Sequence, residues 1–321
     1  MESRHVGKSG LRVSEIALGS WLTIGSRIDA LEAQRMIEVA FDLGIDFFDT
    51  ADVYAQGAAE EALGRALRTF PRQHLVVATK CFFAVSERPN DRGLSRKHVF
   101  ESVDASLRRL GTDYIDLHQC HRADPSTPME ETVRAYEDLI RQGKILYWGV
   151  SEWRAEQISR ACHIADATGG YRPISNQPNY SIMRRGIEGE VLPVSQREGL
   201  GQLVFSPLGQ GALTGKYAGG ARPQGSRATD SKRNLWMNAY LEEDALARVE
   251  RLRPLADAEG LSLAQLALAW CLRLDGLSSV IVGASSAKQL EENVKASGRR
   301  LAPETLAAID ELFPGPEPRG V

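Results

Sequence analysis

Four residues in this chain could do chemistry together: Asp49, Tyr54, Lys80 and His121, each at or just beyond the end of a short apolar run. They supply the groups that reduction of a carbonyl requires. Adding hydride to a carbonyl leaves negative charge on its oxygen, and that oxygen needs a proton. A tyrosine is a weak acid at neutral pH, with an ordinary pKa of about 10. A nearby ammonium favours phenolate and lowers that value. A carboxylate beside the lysine holds the ammonium in place and charged. A histidine near the same oxygen orients the carbonyl and stabilises developing charge. Singly, each residue has a plainer explanation. Asp49 fits a turn or cap, Lys80 a solvated cation, Tyr54 packing against a helix, and His121 a satisfied rim histidine with His118 as a competitor.

The elements that must position them follow from periodicity. Short apolar runs alternate with amphipathic stretches. Strands are predicted at 16–20, 46–50, 75–80, 114–121, 145–151, 173–177, 202–206 and 279–283. Helices are predicted at 30–43, 59–68, 97–110, 128–142, 154–168, 186–198, 243–258, 262–273, 287–296 and 303–312. Strict strand–helix alternation implies a parallel sheet. Eight repeats over this length fit a closed (β/α)8 TIM barrel, with additional C-terminal helices. A doubly wound sheet that bound a dinucleotide would carry G-x-G-x-x-G after its first strand. Here that strand ends Leu18-Gly19-Ser20-Trp21. Residues 3–15, with Ser9-Gly10 between two β-prone segments, read as an N-terminal hairpin closing the barrel bottom. No linker composition interrupts the chain, so residues 1–321 read as one barrel domain.

Barrel active sites lie at the C-terminal ends of the strands. Asp49 ends the second strand, Lys80 the third, His121 the fourth, Ser151 the fifth, and Asn176 with Gln177 the sixth. Residues two apart on a strand share a face. Ile45, Phe47 and Asp49 form one set, Val76, Ala78 and Lys80 a second, and Ile115, Leu117, Gln119 and His121 a third. Each set is mainly apolar with an ionisable residue at its end, which favours His121 over His118. After the seventh strand comes a long loop with Gly209, Gly211, Gly215 and Lys216. Glycines permit close backbone approach, and the lysine offers charge to a pyrophosphate. Arg227 lies further along this loop, whose length points to a clasp. Gly283 and Ser285 sit between the last strand and a helix N-terminus, a ready anion site. The plainer alternative is that Ser285 caps that helix.

Composition narrows the classes. Hydrophobic residues make up 43% and charged residues 25%, with net charge −3, so no basic nucleic-acid footprint is present. Cys81, Cys120, Cys162 and Cys271 form no C-x-x-C pair, which argues against zinc or a dithiol and for free thiols in a reducing compartment. No signal-peptide pattern and no run of 18 apolar residues appears, so a cytoplasmic protein without a membrane span is expected. No clustered His/Asp set supports a metal-dependent hydrolase, and no metal is expected.

The motifs resemble the aldo-keto reductase family over nearly the whole chain. Asp49-Thr50-Ala51-Asp52-Val53-Tyr54 resembles its signature with catalytic Asp and Tyr, Val77-Ala78-Thr79-Lys80 its lysine strand, and Tyr114-Ile115-Asp116-Leu117 through His121-Arg122-Ala123-Asp124 its histidine strand. Gly7 to Ser14, Ser206-Pro207-Leu208 through Thr214-Gly215-Lys216-Tyr217, and Gly283-Ala284-Ser285 through Glu292-Asn293 also match. Pro128 to Ala135 and Gln265 to Arg273 are similar to the branch that holds voltage-gated potassium channel beta subunits and their bacterial relatives. The channel subunits carry Asn where this chain has His121, a difference that favours a working reductase.

The resemblance implies an NADPH-dependent oxidoreductase reducing aldehydes or small ketones to alcohols, with Tyr54 as proton donor. The alternative it leaves is an NADP(H)-binding redox-sensing subunit. It implies nicotinamide stacked on Phe205, with Ser151, Asn176 and Gln177 near the carboxamide. Gly19, Ser20, Trp21 and Asp49, and Ser206, Pro207, Leu208, Gly209 and Gly211, would also face the cofactor, with Lys216 and Arg227 clasping it. Gly283, Ser285, Gln289, Glu292 and Asn293 would hold the adenosine 2′-phosphate and adenine, hence NADP(H) over NAD(H). Trp21, Phe82 and Trp153 are candidates for an apolar wall around a small carbonyl substrate, and a homo-oligomer is left open.

Overall fold

A computed structural model describes residues 1–21, 24–25, 30–230, 234 and 237–316. It opens with a hairpin of β1 (Ser3–His5) and β2 (Arg12–Ser14), paired antiparallel. Eight parallel strands then close a barrel: β3 (Ile16–Gly19), β4 (Phe47–Asp49), β5 (Val76–Cys81), β6 (Ile115–Cys120), β7 (Ile145–Ser151), β8 (Ser175–Gln177), β9 (Gly201–Phe205) and β10 (Leu277–Val282). Neighbours follow sequence order, and β10 pairs with both β3 and β9 to complete the ring. The expected (β/α)8 barrel is therefore the observed architecture.

Each strand is followed by helix. The outer layer consists of α1 (Ala30–Asp42), α2 (Ala58–Leu67), α3 (Arg96–Leu110), α4 (Met129–Arg141), α5 (Ala155–Ala167) and α6 (Val191–Glu198). After β9 come α7 (Glu243–Glu250), α8 (Arg253–Ala258) and α9 (Leu263–Leu272), and after β10 α10 (Ala287–Val294) and α11 (Pro303–Leu312). The local signals are plain. The Ser95 side chain accepts from the His98 N–H to start α3, and Gly111 at φ +66° ends it. Ser262 and Gln265 form a reciprocal capping box on α9.

Two expected helices are each broken. The stretch 186–198 holds a single turn at Gly186–Glu188 and then α6, because Pro193 would clash with the carbonyl of residue 189 in a longer helix. The stretch 243–258 divides into α7 and α8 because Pro254 opens α8 and bars helix continuing from Glu250.

The hydrophobic interior has two parts. The barrel lumen holds Val6, Val13, Ala17, Phe47, Ala78, Leu117, Leu203 and Ile281 in one cluster. Val6 and Val13 come from the hairpin, which plugs the lower end as expected. At the hairpin turn, a Cβ on Gly7 would lie 2.2 Å from the Gly199 carbonyl oxygen, so only glycine fits. The larger cluster lies between barrel and helices. Ile45 and Ile115 belong to this outer cluster, not to the lumen as side-chain alternation predicted. Ile45 precedes β4, where regular alternation has not begun, and Ile115 is the first residue of β6.

Candidate active site

Asp49, Lys80 and His121 rise from the ends of β4, β5 and β6, the same rim of the barrel. Lys80 has no exposed surface. Its Nζ donates to Asp49 Oδ2 at 2.6 Å and to the Thr50 carbonyl at 2.7 Å. The other Asp49 oxygen accepts from Gln177 Nε2 at 2.8 Å, so β8 clamps the carboxylate from across the lumen. Burial pushes the Lys80 pKa down, and the Asp49 carboxylate opposes that shift.

Tyr54 stands over this pair. Its ring centre is 5.2 Å from Lys80 Nζ and 5.7 Å from the His121 ring, at 75° to it. The residue types alone predict that the ammonium lowers the Tyr54 pKa. The structure reverses that direction: desolvation and the Asp49 carboxylate raise it, with Arg122 pulling the other way. Tyr54 is thus kept as a neutral phenol. His121 is held neutral as well, first by burial and then by the Lys80 and Arg122 charges. The competing His118 faces outward, where Nδ1 lies 2.9 Å from the Tyr136 hydroxyl of α4, and burial pushes its pKa down to about 3.

These residues floor a cleft of about 1730 Å³ that runs from Tyr54 and His121 past Phe205 to Gly283 and Asn293. The backbone around it is strained. Among the described residues, five non-glycine residues have left-handed φ: Ala55, Gln56, Glu152, Ser206 and Gln210. All lie in loops after barrel strands at this rim. Strain of this kind concentrates at functional sites.

A profile of the Aldo/keto reductase family matches residues 15–313, which span every barrel strand. The chain belongs to the aldo/keto reductase family. It is 46% identical over 319 residues to a probable voltage-gated potassium channel subunit beta of Arabidopsis thaliana, covering 98% of this chain and 97% of that one. It is 46% identical over 318 residues to a probable subunit of the same description in Oryza sativa subsp. japonica, covering 97% and 96%. A putative subunit of Schizosaccharomyces pombe is 43% identical over 319 residues, covering 97% and 92%. Membership places the chain among oxidoreductases, and family members generally bind NAD(P)H.

On this aldo/keto reductase barrel, most residues expected at the site do line the cleft. Gly19, Ser20, Trp21, Ser151, Gln177, Phe205, Ser206, Pro207, Leu208, Gly211, Lys216, Arg227, Gly283, Ser285, Gln289, Glu292 and Asn293 all face it. Arg227 reaches across the opening: its guanidinium lies 5.5 Å from the Trp21 ring, bonds the Gln210 side chain and would sit 3.6 Å from a Cβ on Gly283.

Asn176 and Gly209 do not line the cleft. Asn176 is buried one residue short of the strand end, with its amide given to Gln202 Oε1 at 3.1 Å. A Cβ on Gly209 would lie 3.2 Å from Met183 Sδ and 3.3 Å from the Tyr240 ring, two side chains that line the cleft themselves and lie against this glycine. Lys80 lies beneath the floor. The apolar wall also differs from expectation. Trp21 lines the cleft, but Trp153 is buried in the outer cluster and Phe82 packs against it, each on the opposite side of its loop. Phe83 takes the wall position instead, edge-on to His121 at 4.9 Å. Ser285 is engaged at the start of α10, with its N–H donating to Gln289 Oε1 at 2.8 Å. Sequence reasoning passed over Arg122, Phe83 and Gln210. Arg122 was in plain view beside His121, whereas the other two depend on loop turns.

Proposed function

We propose that this protein is an NADPH-dependent oxidoreductase that reduces aldehydes or small ketones to alcohols. The observation that carries this reading is the stack at the barrel rim: a neutral Tyr54 phenol beside a neutral His121, above a lysine held by Asp49. The donor set of the cleft fits a phosphorylated dinucleotide. Lys216, Arg227, Arg248 and Lys288 put cationic side chains along its wall. Asn179 Oδ1, Ser226 Oγ and Arg248 Nε are buried polar atoms of lining residues without a protein partner. In this reading Phe205, Ser151 and Gln177 hold the nicotinamide, and Gln289, Glu292, Asn293 and Lys288 the adenosine end.

NADPH, when bound, supplies the hydride. The chain's own residues do the rest. His121, neutral, donates an N–H to the carbonyl oxygen and fixes its direction. Tyr54 releases its proton to the same oxygen, which becomes a far stronger base than a phenolate as hydride arrives. Lys80 then offsets the charge left on Tyr54, and Asp49, Thr50 and Gln177 keep that lysine in place.

A second reading, an NADP(H)-binding redox-sensing subunit, is favoured by the names of the relatives. Purified protein, NADPH and a panel of aldehydes distinguish the two. Consumption of NADPH is expected, with Tyr54→Phe losing about 10²–10⁴-fold in turnover while nucleotide titration is unchanged. Tight nucleotide binding without turnover on any aldehyde would favour the regulatory reading. Near-normal turnover in Tyr54→Phe would remove Tyr54 as the proton donor.

A further inference from the structure

Arg122 follows His121 directly and lines the same cleft, partly exposed to it. Its Nη1 donates to the His121 carbonyl at 2.5 Å, and its guanidinium carbon lies 5.5 Å from the centre of the Phe83 ring. Phe83 in turn meets His121 edge-on, so the cation sits one phenyl ring away from the imidazole. Among the described residues, the Nε and Nη2 donors have no protein partner and no carboxylate pairs with this arginine. Arginines of similar burial elsewhere are paired: Arg72 with Asp116, Arg109 with Glu60, and Arg185 with Glu188.

An uncompensated guanidinium here works against its neighbours. It opposes the charged forms of Lys80 and His121. A planar fork with two open N–H groups is matched to a carboxylate, which it can bind through two parallel hydrogen bonds. The fork belongs to the residue next to His121 and is separated from its imidazole by the Phe83 ring, so a carboxylate seated there lies close to a carbonyl at the Tyr54–His121 pair, and Trp21, Phe83 and Met183 line the same cleft as apolar wall. From this geometry we infer that Arg122 seats a carboxylate of the substrate, and that the preferred substrates are short aldehydes or ketones carrying an acid group a few atoms from the carbonyl. This inference rests on the reductase reading above and specifies its substrate class.

The test pairs succinic semialdehyde with its neutral methyl ester, methyl 4-oxobutanoate. Wild-type protein is expected to show a KM for the acid at least about tenfold below that for the ester. In Arg122→Met the KM for the acid rises by about 10–100-fold while KM for the ester stays within about threefold, and because the lost charge also acts on Tyr54 and His121, any change in kcat is common to both substrates. Arg122→Lys recovers part of the loss, since a point charge replaces the fork. Equal KM values in the wild type, or an equal rise in KM on acid and ester in Arg122→Met, overturn the assignment while leaving the reductase reading intact. If neither of these nor any other aldehyde of the panel is reduced, the reductase reading falls. The seat is then read by calorimetric titration with succinate in the presence of NADP+. Binding that Arg122→Met abolishes supports the seat, and absent or unchanged binding overturns it.

Discussion

A lysine with no exposed surface is costly unless its charge is matched, and Lys80 is matched by one carboxylate oxygen and one carbonyl. Its neighbour Asp52 is not. Asp52 is 2% exposed, one oxygen accepts from Ser102 Oγ at 2.8 Å, and the other has no partner. Burial raises its pKa to about 7, with the Glu60 carboxylate adding and Arg109 subtracting. The folded state therefore holds this proton where the unfolded chain releases it. The stability Asp52 contributes is fully present below the unfolded carboxylate value and is lost as pH rises towards about 7. Between about pH 5 and pH 8 that loss is on the order of 2–3 kcal/mol. Urea unfolding at the two pH values should show it in the wild type and not in Asp52→Asn; an identical pH slope in both would refute it. At this scale the sequence was partly legible. Asp49, Lys80 and His121 sit at strand ends, where alternation dictates direction. Phe82 and Phe83 sit beyond the strand, where it no longer does, and the expectation chose the wrong one.

Among the elements, α2 and α3 approach each other closely. A Cβ on Gly64 would lie 2.3 Å from the Leu110 carbonyl oxygen, backbone that cannot swing aside. Helix propensity alone favours alanine at a mid-helix glycine by about 1 kcal/mol. Here the clash reverses the sign. Gly64→Ala should destabilise by about 1–3 kcal/mol, visible as a lower urea midpoint. A midpoint equal to or above wild type would show that the two helices can part. Element existence was readable because apolar periodicity persists over ten or more residues. The breaks inside 186–198 and 243–258 follow from Pro193 and Pro254, whose ring clashes outweigh the continuing pattern.

At the level of the whole molecule, the barrel has a packed foot and an open rim. Val6 and Val13 fill the foot from a hairpin none of whose residues lines the cleft. Val6→Ala should therefore cost about 1–3 kcal/mol of stability and leave KM for an aldehyde unchanged. A parallel change in KM would mean that foot and rim are coupled. The closed ring was legible because eight strand–helix repeats leave few alternatives. The shape of the cleft was not, because it is made by loops whose turns depend on contacts distant in sequence. Gln210 shows this: it bonds Ser206 Oγ at 2.8 Å and the Arg227 side chain.

The five left-handed residues at the rim bear on how this protein could be made to last. Ala55 and Gln56 directly follow Tyr54, Glu152 follows Ser151, and Ser206 follows Phe205. Each holds a backbone shape that glycine would adopt without steric cost, so each is a place where the chain gives up durability for aim. Selection for heat resistance alone would relax these positions first, and the barrel would outlast the precision of its own rim.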